Sequence, residues 1–106
     1  MTLPVFNSSS VRLFDVEKRR ESPLITRLTS AIDVLPLRSG IYVLEHSENV
    51  FAGLPTGRLL KFATPSSAPQ VIASGLNHPT SMVYSARHRA FFVTELNANR
   101  ISRIDH

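Results

Sequence analysis

Three segments of this chain repeat one pattern: an arginine, an apolar residue, two residues of any type and a second apolar residue. They begin at Arg12, Arg58 and Arg100, so that 46 residues separate the first two arginines and 42 separate the last two. A period of this length indicates a repeat architecture, in which each unit is one supersecondary motif that packs against its neighbours. The repeat limits the possible folds more than any other feature of the sequence.

The residues between the arginines match as well. The stretch RLFDVEKRRESPLI aligns without a gap on RLLKFATPSSAPQV, and AIDVLPLRSGIYVLE aligns without a gap on SMVYSARHRAFFVTE. The second alignment pairs residues of similar character, namely Ile32 with Met82, Val43 with Val93 and Glu45 with Glu95. The units differ in length in predicted loops, where insertions cost little free energy.

Each unit contains four short apolar runs, which are bounded by Pro, Gly, Ser or Asn. The runs are 11–16, 24–29, 31–35 and 40–45 in the first unit, 58–63, 70–73, 80–84 and 90–95 in the second, and 100–105 at the start of a third. Stretches such as IYVLE and FFVTE are rich in aromatic and β-branched residues, which suit a pleated, half-buried surface. No run has a sustained helical period, so the sequence predicts nine β-strands.

Four strands in a unit of this length is the size of one propeller blade. The predicted fold is therefore all-β, with about two and a quarter four-stranded antiparallel propeller blades that form an incomplete propeller. Residues 1–10 form an N-terminal extension, and the partial propeller covers 11–106, as blade-like units 11–57 and 58–99 and the start of a third at 100–106. A single twisted sheet has two apolar faces and covers neither alone, whereas stacking around an axis covers both.

An incomplete propeller leaves its ring of blades open, which affects how the chain associates with other chains. Propellers close with four or more blades, and this chain is expected to begin and end inside a blade. It is then either a piece of a longer gene product or a stand-alone fragment with exposed edge strands. Because such edges pair readily with other chains, we expect self-association or marginal stability.

The stretch LNHPTSMVYSARHRAFFVTELNANRISRID resembles an NHL repeat, and also a blade of the related six-bladed propellers of the gluconolactonase, strictosidine-synthase-like and ScyD/ScyE-type families. The residues that carry the resemblance are Leu76, Pro79, Met82, Val83, Phe91, Phe92, Val93, Glu95, Arg100, Ile101 and Ile104, with 41–45, Arg58 and Leu59 in the first unit. The chain departs from the pattern at Ser81 and Arg89, where glycine is usual, and at both glutamates, where aspartate is common. The resemblance covers 11–105 and implies a partial six-bladed β-propeller, but fold does not fix function.

Composition excludes several classes of site and partner. The chain has no cysteine, so it has neither disulfides nor thiolate metal sites. No apolar run is long enough to span a bilayer, and the first ten residues do not read as a signal peptide. The net charge is +4, but the basic residues are scattered and the densest run, 18–20, lies in a predicted turn. We therefore expect no nucleic-acid partner and no membrane partner, and the sequence does not determine the compartment.

Three residues are candidates for a ligand or metal site: Glu45, Glu95 and His78. The glutamates occupy equivalent places after a predicted strand, where a carboxylate can bind a divalent cation or act as a general base. The structural alternative is that each accepts hydrogen bonds from backbone N–H groups of the following turn. His78 precedes Pro79 in a loop that could face the axis, although a turn or surface histidine is the favoured interpretation.

Other recurrent residues have structural interpretations. The repeated arginines are expected to pair with a neighbouring carboxylate, for example the glutamate of the same blade. His46, His78 and His88 are too far apart in sequence to read as one ligand set, and His88 is expected at a solvated hairpin tip. Asn97 and Asn99 read as turn residues that tolerate left-handed backbone. The insertion SENVFAGLPTG, at 47–57, is either a specificity loop or neutral length variation.

Two functions from different classes fit this sequence, which contains none of the strong nucleophile, metalloprotease or nucleotide-binding motifs. The first is a binding or scaffold module, a partial NHL-type propeller whose loops contact a protein or a small-molecule ligand and which needs no cofactor. The alternative is a fragment of a divalent-cation-dependent, lactonase-like hydrolase that uses Ca²⁺ or Zn²⁺. A third reading is an inactive truncated product with poor solubility. The first needs no missing residues and is favoured, while enzymatic activity stays an open question.

Overall fold

A computed structural model of the protein describes residues 9–47, 56–96 and 98–106. This part of the chain contains nine β-strands and no helix, and hence no helix that could cross a membrane. The strands are β1 (Ser9–Asp15), β2 (Arg20–Leu28), β3 (Ala31–Leu37), β4 (Gly40–Glu45), β5 (Gly57–Phe62), β6 (Gln70–Leu76), β7 (Pro79–Ser85), β8 (Ala90–Glu95) and β9 (Arg100–Asp105). Each predicted apolar run overlaps one strand, so the all-β prediction is confirmed.

The strands form three antiparallel sheets in which every strand pairs with its neighbours in the chain. The first sheet is β1–β2, the second is β3–β4–β5–β6 and the third is β7–β8–β9. Such meanders need only short connections, which explains why Pro, Gly, Ser and Asn recur between the apolar runs. The first strand begins at Ser9, two residues before the predicted start of the first run.

The sequence repeat and the sheets have the same period but different starting points. Arg58 lies at the beginning of β5, which is the third strand of the second sheet, and Arg100 begins the third strand of the third sheet. A unit counted from one arginine to the next therefore takes two strands from one sheet and two from the following sheet. The predicted unit 11–57, for example, combines β1 and β2 of the first sheet with β3 and β4 of the second.

One detail of the internal alignment is wrong. In the β3–β4 hairpin Leu37 pairs with Gly40, whereas in the β7–β8 hairpin Ser85 pairs with Ala90, so the second loop is two residues longer. As a result Val34 and Met82 are equivalent, because they pair with Val43 and Val93 respectively. The ungapped alignment of Ile32 with Met82 is therefore displaced by two residues. A hairpin loop absorbs such a change without disturbing the second strand.

Two apolar clusters hold the three sheets together, and the second sheet separates them. Between the first and second sheets lie Ile25, Leu28, Val43, Leu60 and Phe62. Between the second and third sheets lie Tyr42, Leu44, Leu59, Leu76, Met82, Phe91 and Val93. Because neighbouring residues of a strand point to opposite faces, β4 and β5 contribute to both clusters. We call the side of a sheet that faces the preceding sheet its front and the other side its back.

Candidate functional site

The first candidate residue, Glu45, is the last residue of β4 and has 1% of its surface exposed. Its Oε2 accepts a hydrogen bond of 2.7 Å from the backbone N–H of Thr29, in the connection that precedes β3. Its Oε1 accepts hydrogen bonds from Nε and Nη2 of Arg58, at 2.9 and 2.6 Å. The carboxylate therefore joins the incoming connection to β4 and β5 of the second sheet.

Glu95, the equivalent residue of β8, is 1% exposed and has the same kinds of partners. Its Oε1 accepts a hydrogen bond of 2.8 Å from the backbone N–H of Asn77, and its Oε2 accepts one of 2.6 Å from Nε of Arg100. The Ser102 hydroxyl also donates to Oε2. Donation from Arg100 is the largest of the effects that lower the pKa of Glu95 from 4.5 to about 2, although burial opposes it. The same contact raises the pKa of Arg100.

These contacts agree in part with the structural interpretation of the glutamates. Both carboxylates accept backbone N–H donors, but the donors lie in the connections before the first strand of each sheet and not in the following turns. The reason is that the end of the second strand lies beside the start of the first in an antiparallel pair, as the pairing of Ala31 with Glu45 shows. The expected arginine–carboxylate pairs form within each sheet.

Arg12, the first arginine of the repeat, has a different environment from Arg58 and Arg100. Arg12 lies in β1, and β1 pairs only with β2 within the described part of the chain. Its guanidinium forms an ion pair with Glu21 of β2, and both side chains are about half exposed. The repeat motif is therefore conserved within the chain while its carboxylate partner changes from a buried residue to an exposed one.

The structure brings together two histidines that are distant in the sequence. The imidazole rings of His46 and His78 have centroids 4.9 Å apart. Nδ1 of His46 donates to the backbone oxygen of Pro79 across 2.9 Å, and Nδ1 of His78 lies 2.9 Å from Oδ1 of Asn77. His78 has a φ of 50°, in the left-handed region. The pair thus fixes the contact between the end of β4 and the start of β7, which no sequence spacing indicated.

The residues that were candidates for metal binding do not form an assembled site within residues 9–47, 56–96 and 98–106. No three His, Cys, Asp or Glu side chains in these ranges form a group that could hold a metal ion. Asn99 has the expected left-handed backbone, with a φ of 53°. Asn97 and most of the insertion, 48–55, lie outside the described residues. His88 is exposed in the β7–β8 hairpin, with its ring near Phe92.

The back of the third sheet is a face of mixed apolar and polar residues on which no other sheet of the described chain packs. Val83, Phe92 and Arg103 form one cross-strand row on this face, because Phe92 pairs with both of the others. Ser81, Thr94 and Ile101 form the next row. Val83 is 63% exposed and Ile101 is 68% exposed. Large exposed apolar side chains of this kind make the face a candidate interaction surface.

Two corresponding rows occur on the back of the second sheet, where their central residues are buried. Leu35, Tyr42 and Lys61 repeat the order of apolar residue, aromatic residue and cation. Asp33, Leu44 and Leu59 correspond to the second row, with the apolar Leu44 in the place of Thr94. Here Tyr42, Leu44 and Leu59 are at most 1% exposed, because the third sheet packs on them. The exposed face therefore resembles a surface that already docks a sheet within this molecule.

Comparisons of the chain with protein-family models, with curated proteins and with solved structures give no match.

Proposed function

We propose that the chain is a partial NHL-type β-propeller and acts as a binding or scaffold module. The observation that supports the proposal most directly is the repeated back face. A surface that holds a sheet in one place, and is uncovered in another, is a docking surface of known geometry. The proposal requires no residue that the described chain lacks.

The partner that fits this face is a further sheet of the same repeat. Within the molecule, the second sheet docks the front of the third, whose core residues are Met82, Phe91 and Val93. Polar contacts fix the register, since Oδ2 of Asp33 accepts a hydrogen bond of 2.9 Å from the backbone N–H of Met82. Ser81 is the equivalent of Asp33 on the uncovered face and can accept the corresponding donor. In a solution of the pure chain, such a sheet is supplied by a second copy.

The alternative, a lactonase-like hydrolase dependent on a divalent cation, has weaker support. A cation site needs carboxylate oxygens that can turn toward the metal. The oxygens of Glu45 and Glu95 accept hydrogen bonds from arginine and from backbone N–H groups, and both side chains are buried. Binding a cation there would displace the arginine and break the contact that joins each connection to its sheet.

Light scattering of the purified chain over a range of concentrations tests the docking proposal. We expect concentration-dependent association, because the uncovered rows bury apolar area when they meet another sheet. The substitution Ile101→Lys places a charge on the face and should shift association to concentrations about tenfold higher or more. Val71→Lys is a matched control, because Val71 is a half-exposed valine on the outer strand of the second sheet.

Two results would contradict the proposal. The first is a chain that stays monomeric at all concentrations. The second is an equal effect of the two lysine substitutions, which would indicate non-specific aggregation and not docking at the back of the third sheet. Self-association through the edges of β1 and β9 is distinguished by hydrogen exchange, because edge pairing protects the amides of β9 and face docking leaves them unchanged.

A further inference from the structure

A cleft with a volume of about 500 Å³ opens between the β3–β4 hairpin and the β7–β8 hairpin. It lies at the end of β4 and β8 opposite to Glu45 and Glu95, so it is separate from the glutamate contacts and from the uncovered back face. Its walls include Leu37, Arg38, Ser39, Tyr42, Tyr84 and His106. A volume of this size is typical of sites for small organic ligands.

The interior of the cleft is apolar and rigidly packed. The rings of Tyr42 and Tyr84 both contact Phe91, with centroid distances of 4.7 and 4.8 Å. Leu37 and Ala86 complete the apolar lining on the two hairpins. Because Tyr42 and Phe91 belong to the core between the second and third sheets, the floor is fixed by the fold before any ligand arrives.

Hydroxyl and imidazole groups are held in fixed positions at one side of this lining. The Tyr42 hydroxyl lies 2.8 Å from Oγ of Ser39 and 3.0 Å from Nε2 of His106. The Tyr84 hydroxyl donates to the backbone oxygen of His106 across 3.1 Å. These bonds order the polar groups at the rim, so a ligand would meet a preorganised set of partners.

The charged side chains around the cleft are cations. Arg38 lines it, is exposed and has no ion-pair or hydrogen-bond partner in the described ranges. Nζ of Lys61 lies 5.9 Å from the centroid of the Tyr42 ring, beside the floor. The ion pairs of the described chain engage other cations, namely Arg12, Arg58, Arg100 and Arg103. No acidic side chain is among the residues that line the cleft, and the single terminal carboxylate of His106 is outnumbered by the cations Arg38 and Lys61, so the electrostatic complement of the cleft is an anion.

We propose that this cleft binds a small organic anion, with an apolar ring against Leu37, Tyr84 and Ala86 and a carboxylate against the guanidinium of Arg38. A planar guanidinium offers a carboxylate two parallel hydrogen bonds, and burial of the ring supplies the non-directional part of the affinity. This site does not depend on the docking function proposed above, because the two use different residues at different surfaces.

Titration with 2-naphthoate, followed by the backbone amide shifts of the intact chain in NMR spectra, tests the site. The ligand should cause saturable shifts at 37–39 and 84–86. The neutral analogue 2-naphthamide has the same shape without the charge and should bind about tenfold more weakly, as expected for the loss of a charge-assisted hydrogen bond.

Matched arginine substitutions separate a specific site from general attraction between charges. Arg38→Gln should weaken naphthoate binding about tenfold and leave naphthamide binding unchanged. Arg87→Gln removes an exposed arginine without an ion pair from the neighbouring hairpin, outside the cleft, and should change the affinity less than twofold. Ala86→Trp fills the cleft and should abolish the binding of both ligands. Thermal unfolding of each variant confirms that it is folded.

Three outcomes would overturn the proposal. One is the absence of saturable shifts at millimolar ligand. Another is a set of shifts on the back of the third sheet, around Val83 and Ile101, in place of the hairpins. The last is an equal loss of affinity in Arg38→Gln and Arg87→Gln, which would show that the ligand binds only through general attraction to the net positive charge of the chain.

Discussion

The back faces of the second and third sheets share one cross-strand row of residue types but lie in opposite environments. Tyr42 and its neighbours are core, whereas Phe92 is partly exposed and Val83 is largely exposed. The strands pair in the same way, and the row that contains the aromatic residue has the same order of residue types in both sheets. What differs is the presence of a following sheet. Burial in a repeat protein is therefore set by the neighbour of a unit as much as by the unit itself.

The arginine contacts show the same principle for charged groups. Arg58 and Arg100 each meet a buried glutamate on the strand beside them, whereas Arg12 meets the exposed Glu21. A buried carboxylate with well-placed donors is costly to disturb, because the carboxylate stays desolvated when a donor is removed. An exposed pair contributes little, because water competes for both groups. The equivalent arginines should thus have unequal effects on stability.

The largest expected difference in stability is between alanine substitutions of the two equivalent aromatic residues, Tyr42 and Phe92. Tyr42→Ala removes a fully buried ring that contacts Phe91, and it should lower the free energy of unfolding by about 3–5 kcal/mol. Phe92→Ala removes the equivalent ring from the uncovered face and should cost about 1–2 kcal/mol, since less area is lost from the core. Urea denaturation of the two variants measures the difference. Equal losses would mean that the back of the third sheet is covered in solution.

A second comparison concerns the residue that begins β4 and β8. Gly40 has a φ of +150°, and a Cβ atom built on it would lie 2.6 Å from the backbone oxygen of Phe62. Gly40→Ala should therefore cost about 2 kcal/mol, from backbone strain and a contact that cannot relax easily. Ala90 occupies the equivalent place in the third sheet, and Ala90→Gly should cost about 1 kcal/mol or less. Thermal unfolding that ranks Ala90→Gly as the more harmful change would contradict the equivalence of the two hairpins.

The third comparison uses pH. Because folding lowers the pKa of Glu95 from 4.5 to about 2, its ionised form stabilises the protein fully above about pH 4.5. This contribution is lost as the pH falls toward 2. It amounts to at most about 3 kcal/mol by linkage, and to about 1–2 kcal/mol after allowance for the exposure of Arg100. Denaturant unfolding between pH 2 and 7 should give a flatter profile for Glu95→Gln than for the wild type.

The matched control for Glu95 is Glu21, the partner of Arg12. Glu21→Gln should cost less than about 1 kcal/mol, because both members of this pair are exposed. Raising the ionic strength should reduce this small effect further and leave the effect of Glu95→Gln largely unchanged. A salt dependence of equal size in the two variants would show that burial does not separate the two kinds of pair.

Much of the secondary structure was predictable, and the register was less so. The nine apolar runs identified nine strands because aromatic and β-branched residues concentrate in short segments between turn residues. The residue equivalent to Met82 was predicted as Ile32, whereas the structure shows that it is Val34. An ungapped alignment cannot detect that the second hairpin loop is two residues longer. The pairing of Arg58 and Arg100 with glutamate was expected, whereas the donors from Thr29 and Asn77 depend on strand adjacency.

The sequence by itself determined that this protein is all-β and repetitive, because strand propensity, turn residues and the arginine period are local properties that tertiary contacts do not alter. Only the tertiary structure decided which apolar face is core and which is open, that His46 meets His78, and that Leu37 and Tyr84 line one cleft. Those outcomes depend on contacts between residues distant in the chain, and such contacts are set by how whole sheets stack and not by the composition of any one strand.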